Sequence, residues 1–324
     1  MSRTLLLLAL VAACGNTSAA VDADPFAPDA DPLAPDASSL DATPSVDAAP
    51  LPEQTARLRV VNRCAQPIWI AHSDNLAADQ NVALVTDAFH DYDIPAGGLA
   101  SVRLWPKTGC DATGHSCLIG DNGEGGGKPC GPNGCQPPFD SKFEATFADT
   151  ASSAETWYDL SLVDGFTLPL AVRPLGNGTN TGTCVASDCA NLTLDACPAQ
   201  EQAGLDLRVT DPANAATTIA CLAPCKAWNY PAPYGEGHPE SQDPGLHLCC
   251  PTPIDPQSGN CTIANACMTP DACRAAGDPA SVVHTSYVAL VHARCPSAYS
   301  YSYDDEAGLH ACPSATRFEV TFCP

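Results

Sequence analysis

The chain has 324 residues, with 14 Lys or Arg, 37 Asp or Glu and 19 Cys, and a formal net charge of −23. An acidic balance with no basic cluster excludes nucleic acid as a partner, because phosphate backbones require grouped Lys and Arg. The sequence also contains no P-loop, dinucleotide fingerprint or nucleophile elbow.

The chain opens with one positive residue, Arg3, and an apolar run over 5–13. That pattern is a signal peptide and is too short to span a bilayer. It ends in Val11-Ala12-Ala13-Cys14, which resembles a bacterial lipobox. Residues 1–13 are therefore expected to be a lipoprotein signal peptide, with Cys14 the lipidated N-terminus and the lipid the only membrane contact. Gly15 after the cysteine favours an outer-membrane anchor, which places the protein in the cell envelope, exposed to the periplasm or the exterior. Residues 14–56 carry seven Asp, Glu53 and seven Pro but no Lys or Arg. Such a stretch has little to bury, repels itself and reads as a disordered tether.

Residues 57–324 are expected to fold. Alternating or short apolar runs predict strands at 57–62, 67–71, 100–105, 142–147, 157–162, 166–172 and 317–322, separated by Gly, Pro and Asp clusters. Short strands with such turns suggest a mainly β sandwich or barrel. The most helical piece is 286–294, within a cysteine-dense middle from about 184 to 295. Trp69, Trp105, Trp157 and Tyr299 are expected in the core, whereas Trp228, Tyr230 and Tyr234 are placed to stack on a sugar.

Eighteen cysteines fall between Cys64 and Cys323, an even number that predicts nine disulfides in an oxidising compartment. Zinc is the competing use, but no Cys-x2-Cys pair is present. The eight histidines are scattered without metal-ligand spacing, so neither a metal nor another cofactor is expected.

Five stretches carry a family resemblance. They are Leu58-Arg-Val-Val-Asn-Arg-Cys64 with Pro67-Ile-Trp-Ile-Ala71, Val102-Arg-Leu-Trp-Pro-Lys-Thr-Gly-Cys110, and Tyr158-Asp-Leu-Ser-Leu-Val-Asp-Gly-Phe-Thr-Leu-Pro169. The others are Cys295-Pro-Ser-Ala-Tyr-Ser-Tyr-Ser-Tyr-Asp-Asp305 and Phe318-Glu-Val-Thr-Phe-Cys-Pro324. In this order they resemble the thaumatin-like proteins across 57–324. The resemblance implies a thaumatin-like β-sandwich with two smaller disulfide-rich lobes. It implies the bridges Cys64–Cys323, Cys110–Cys117, Cys130–Cys135, Cys184–Cys312, Cys189–Cys295, Cys197–Cys221, Cys225–Cys249 and Cys250–Cys273. Cys261 and Cys267 would then pair, unless Cys250–Cys261 and Cys267–Cys273 form instead. Lys107 stands where the family usually has arginine, and segments 228–247 and 254–285 are longer than in its compact members.

The resemblance also implies an acidic cleft, carried residue by residue onto Arg103, Glu144, Asp159, Asp164 and Asp304, with Asp305 as the alternative to Asp304. Clustered carboxyls raise one another's pKa, so one can be protonated while another is ionised. Glycoside hydrolysis needs that pairing. Glu144 is the expected general acid and Asp164 the residue that activates water. The implied ligand is a polysaccharide, β-1,3-glucan, with weak endo-β-1,3-glucanase activity as a further expectation. The alternative is a non-catalytic protein that binds a protein partner or inhibits an enzyme.

Overall fold

Strands dominate residues 50–324, which form one unit of the computed structural model. The residues described are 50–73, 75–76, 80–123, 130, 135–251 and 268–324. The expected signal peptide, Cys14, most of the tether, Cys261 and Cys267 lie outside them.

Two sheets face each other. One has the spatial order Phe89–Tyr92, Leu58–Asn62, Arg317–Phe322, Leu170–Leu175, Ser187–Asp188. The other runs Val82–Leu84, Ile68–His72, Leu99–Lys107, Lys142–Phe147, Glu155–Ser161, His310–Pro313. Alternation in the sequence sets the inward faces, since successive strand residues point to opposite sides. Phe318, Val320 and Phe322 are buried, as are Phe143, Ala145 and Phe147. The layers meet through aromatic contacts, with the Phe318 ring centroid 4.7 Å from Tyr158, 5.8 Å from Phe147 and 6.1 Å from Phe143. Leu58–Asn62 pairs in parallel with Arg317–Phe322, so the first and last strands lie side by side within the sheet.

Residues 50–56, assigned above to the tether, run against this sheet. Gln54 is buried and its Nε2 donates to the Phe318 carbonyl (3.0 Å). Arg59, 2% exposed, grips both oxygens of Asp91 and donates to the Pro52 carbonyl (2.6 Å). Low apolar content did not keep this end of the tether off the domain, because backbone carbonyls at Pro52 and Gln54 accept from the buried Arg59 and the half-buried Arg317 of the sheet.

A smaller sheet of Arg208–Asp211, Asn214–Leu222 and Gly165–Phe166 carries the chain into a helical lobe with Pro224–Asn229, Gly245–Cys249, Pro270–Cys273 and Ser286–Arg294. Thr285 caps the last helix, its hydroxyl accepting from the Val288 amide. Eight disulfides join the described residues: Cys64–Cys323, Cys110–Cys117, Cys130–Cys135, Cys184–Cys312, Cys189–Cys295, Cys197–Cys221, Cys225–Cys249 and Cys250–Cys273. Of the two arrangements left open for Cys250, the structure adopts the bond to Cys273.

Trp69 is partly buried and Trp105 fully so, whereas Trp157 is 44% exposed and Tyr299 lines a cleft, against the expectation that all four sit in the core. Trp157 lies in register opposite Thr146 and Ala311, on the outward side of its strand. Conversely, Trp228 stacks on His238, Tyr230 donates to the Pro138 carbonyl and Tyr234 packs against Phe139. Those three hold the lobe together.

Candidate functional site

The outer face of the larger sheet carries a row of three charged residues. Register places Arg103 opposite Glu144, and Glu144 opposite Asp159, on three adjacent strands. The row follows from period-two alternation: Val102 and Leu104 are buried, and Arg103 between them faces outward. Tyr158 and Leu160 likewise turn Asp159 out. A register shift between Leu99 and Val102, with Ser101 at φ 56°, sets the phase of the first strand.

Arg103 Nε forms an ion pair with Glu144 Oε1. Asp159 has no such counterion in contact, and its Oδ1 is buried without a hydrogen-bond partner among the described residues. Burial, and then repulsion from Glu144, push the Asp159 carboxyl well above the usual carboxylate range, with Arg103 opposing only in part.

Asp164 reaches the same cleft from the turn after the Glu155–Ser161 strand. Gly165 makes that turn: its φ is +149°, and a Cβ there would lie 2.4 Å from the Cys221 carbonyl oxygen. Glycine thus lets the small sheet close up, and the Asp164 carbonyl accepts from the Ala223 amide (3.1 Å). Pro224 then starts a short helix whose Lys226 turns back to the Asp164 carboxylate (Nζ–Oδ1 3.2 Å). Lys142, two residues before Glu144 on its strand, holds the other oxygen (Nζ–Oδ2 2.6 Å). Burial disfavours the charge of Asp164, but the two lysines outweigh it and hold its pKa below the ordinary value.

Asp304 is not in the cleft. It is 5% exposed, and its Oδ2 accepts from the Ser300 amide (2.9 Å) and hydroxyl (2.5 Å) and meets His292 Nε2 at 2.8 Å. Asp305, the alternative, accepts from the Tyr299 hydroxyl (2.8 Å), and Tyr299 does line the cleft. The cleft of about 320 Å³ is bounded by Arg103, Lys142, Glu144, Asp159, Asp164 and Tyr299. Val163 and Ser302 border both it and a second hollow of about 260 Å³, against the disulfide-rich lobe.

The structure therefore brings together Arg103, Glu144, Asp159 and Asp164 and leaves Asp304 out. It adds Lys142, Lys226 and Tyr299, which the sequence reading missed. Lys142 was legible, since residues two apart on a strand share a face. Lys226 comes from a separate helix and was not. Arg103 and Lys142 line the cleft with the three carboxyls, and Lys226 reaches Asp164 from beside it, so the carboxyls do not stand there without cations. Elsewhere Cys225, Glu240 and Cys249 place potential metal-ligand atoms within 4.8 Å of one another, but both sulfurs belong to one disulfide.

Sequence comparison matches residues 62–252 and 238–324 to the model of the thaumatin family. A glucan endo-1,3-beta-glucosidase of Prunus avium is 30% identical over 281 residues, covering 83% of this chain and 91% of its own. Thaumatin-like protein 1b of Malus domestica is 32% identical over 258 residues, covering 77% of this chain and 97% of its own. Thaumatin-like protein 1 of Prunus persica is 30% identical, covering 83% and 90%.

Proposed function

The chain belongs to the thaumatin family, and on that premise we propose that its cleft binds β-1,3-glucan or a related polysaccharide and hydrolyses it weakly. The observation that carries the reading is the row Arg103–Glu144–Asp159, in which a carboxyl paired with arginine adjoins a second, more enclosed carboxyl whose pKa is pushed up by burial and by its neighbour. A relative named for glucan endo-1,3-beta-glucosidase activity supports the substrate class. Sugar hydroxyls would donate to the carboxylate oxygens and accept from Arg103.

The roles differ from those expected. Asp159, not Glu144, is the proton donor to the glycosidic oxygen as the carbon–oxygen bond breaks. Glu144, paired with Arg103, is the carboxylate that activates water or meets the developing positive charge. Asp164, with both oxygens held by lysine, fixes Lys142 and Lys226 at the mouth of the lobe instead of activating water. In the same proposal the lipid on Cys14 tethers the domain at the cell surface.

The test measures reducing ends released from a soluble β-1,3-glucan, alongside a binding isotherm, for wild type, Asp159→Asn and Glu144→Gln. Asp159→Asn should lose turnover by roughly 10²–10⁴ while binding persists, because the amide keeps the shape but not the proton. Turnover unchanged in Asp159→Asn sinks the acid assignment. Absence of glucan binding by wild type sinks the reading itself and moves the weight to a protein partner.

A further inference from the structure

Asp159 and Trp157 lie two residues apart on the outward side of one strand, and the same side continues to Glu155. Beyond Glu155 is a hollow of about 520 Å³ lined by Ser152, Glu155, Thr181, Thr183, Ala311 and Ser314, among others. Ala311, which lines the hollow, lies directly opposite Trp157 in the sheet, so the hollow adjoins that position of the strand. Cleft, tryptophan and hollow thus follow each other along Glu155–Ser161. At about 3.3 Å per residue the track extends roughly 20 Å.

The hollow has a particular hydrogen-bonding character. Ser152 Oγ donates to the Asp149 carbonyl (2.7 Å), Thr181 Oγ1 to that of Gly178 (2.8 Å), Thr183 Oγ1 to that of Ala311 (3.3 Å) and Ser314 Oγ to that of Ser152 (2.9 Å). Each hydroxyl proton is therefore engaged within the protein, so what the oxygens have left to offer is acceptor capacity, of which Ser152 already uses part on the Ala154 amide (3.2 Å). A partner that brings many O–H donors and no negative charge suits such a wall, in which Glu155 offers further acceptor oxygens. An exposed indole adds a flat apolar face with one N–H donor, the kind of side chain that is apolar on one side and wet on the other.

We propose that the hollow is a second polysaccharide subsite, with Trp157 stacking against a sugar ring between it and the cleft. The occupant is the same neutral β-linked glucan chain, continued past the carboxyls. The inference rests on the glucan reading above. It adds that recognition depends on chain length, short oligosaccharides filling the cleft and longer ones crossing Trp157 into the hollow.

The experiment titrates β-1,3-gluco-oligosaccharides of increasing length into full-length wild type, Trp157→Ala and Trp157→Phe by calorimetry. Wild type should bind longer chains more tightly, and Trp157→Ala should lose that gain, roughly tenfold or about 1.4 kcal/mol, while keeping its affinity for the shortest binder. Trp157→Phe should retain part of the gain. Thr183→Val serves as a second variant, removing an acceptor in the hollow away from the indole. Equal affinity for short and long chains in wild type, or the same length dependence in Trp157→Ala, overturns the second subsite and leaves the cleft reading standing. Failure of wild type to bind any of the chains removes both.

Discussion

Asp304 turns its carboxylate to His292, and that contact ties the Ser286–Arg294 helix to the turn bearing Tyr299 and Ser302 at the cleft. The hydrogen bond to Asp304 raises the pKa of the His292 ring above its ordinary 6.5, against a smaller effect of burial. Because the folded value is the higher one, the stabilisation is fully present below the unfolded value and is lost as pH rises through the folded value. The ring is 41% exposed, so solvent screening holds the contribution under about 1 kcal/mol. Melting temperatures measured from pH 5 to 9 should show wild type losing its advantage over His292→Gln as pH increases. Parallel profiles for the two proteins would mean that the pair does not titrate in this range.

The strands were legible because each inward set is a short alternating run between turn residues, as in Arg317–Phe322, where Phe318, Val320 and Phe322 point to the core. Their register was not, and register is what makes a site of Arg103, Glu144 and Asp159. Trp157 was misplaced because an aromatic beside a buried Tyr158 reads as core until the phase of the strand is known. Asp304 was carried to the cleft by the resemblance alone, with Asp305 as its alternative, and nothing in the sequence showed that Ser300 and His292 would take its carboxylate. Among the elements, the parallel pair Leu58–Asn62 and Arg317–Phe322 leads to a further prediction. The Cys64–Cys323 bond beside it spans 259 residues, and opening so long a loop should cost about 5 kcal/mol in the chain-entropy model. Chemical denaturation of Cys64→Ala/Cys323→Ala against wild type measures it. A loss below about 1 kcal/mol would show that strand pairing alone holds the ends together.

At the scale of the whole molecule, the proposed anchor and the folded body are separable in experiment. Cys14→Ser should move the protein from the membrane fraction to the soluble fraction, with glucan binding by the body unchanged. Equal membrane retention of the variant would rule out the lipid on Cys14 as the attachment. The pairing of the first and last strands also constrains the order in which the molecule can be made. Synthesis proceeds at about 5–20 residues per second, so the partner strand of Leu58–Asn62 follows it by on the order of ten to fifty seconds. Throughout that interval Cys64 is a thiol without its native partner, while other cysteines emerge that can oxidise with it. Production in a host lacking a catalyst of disulfide exchange that can undo such early bonds is therefore expected to yield scrambled protein, which a map of the bridges by non-reducing mass spectrometry would check.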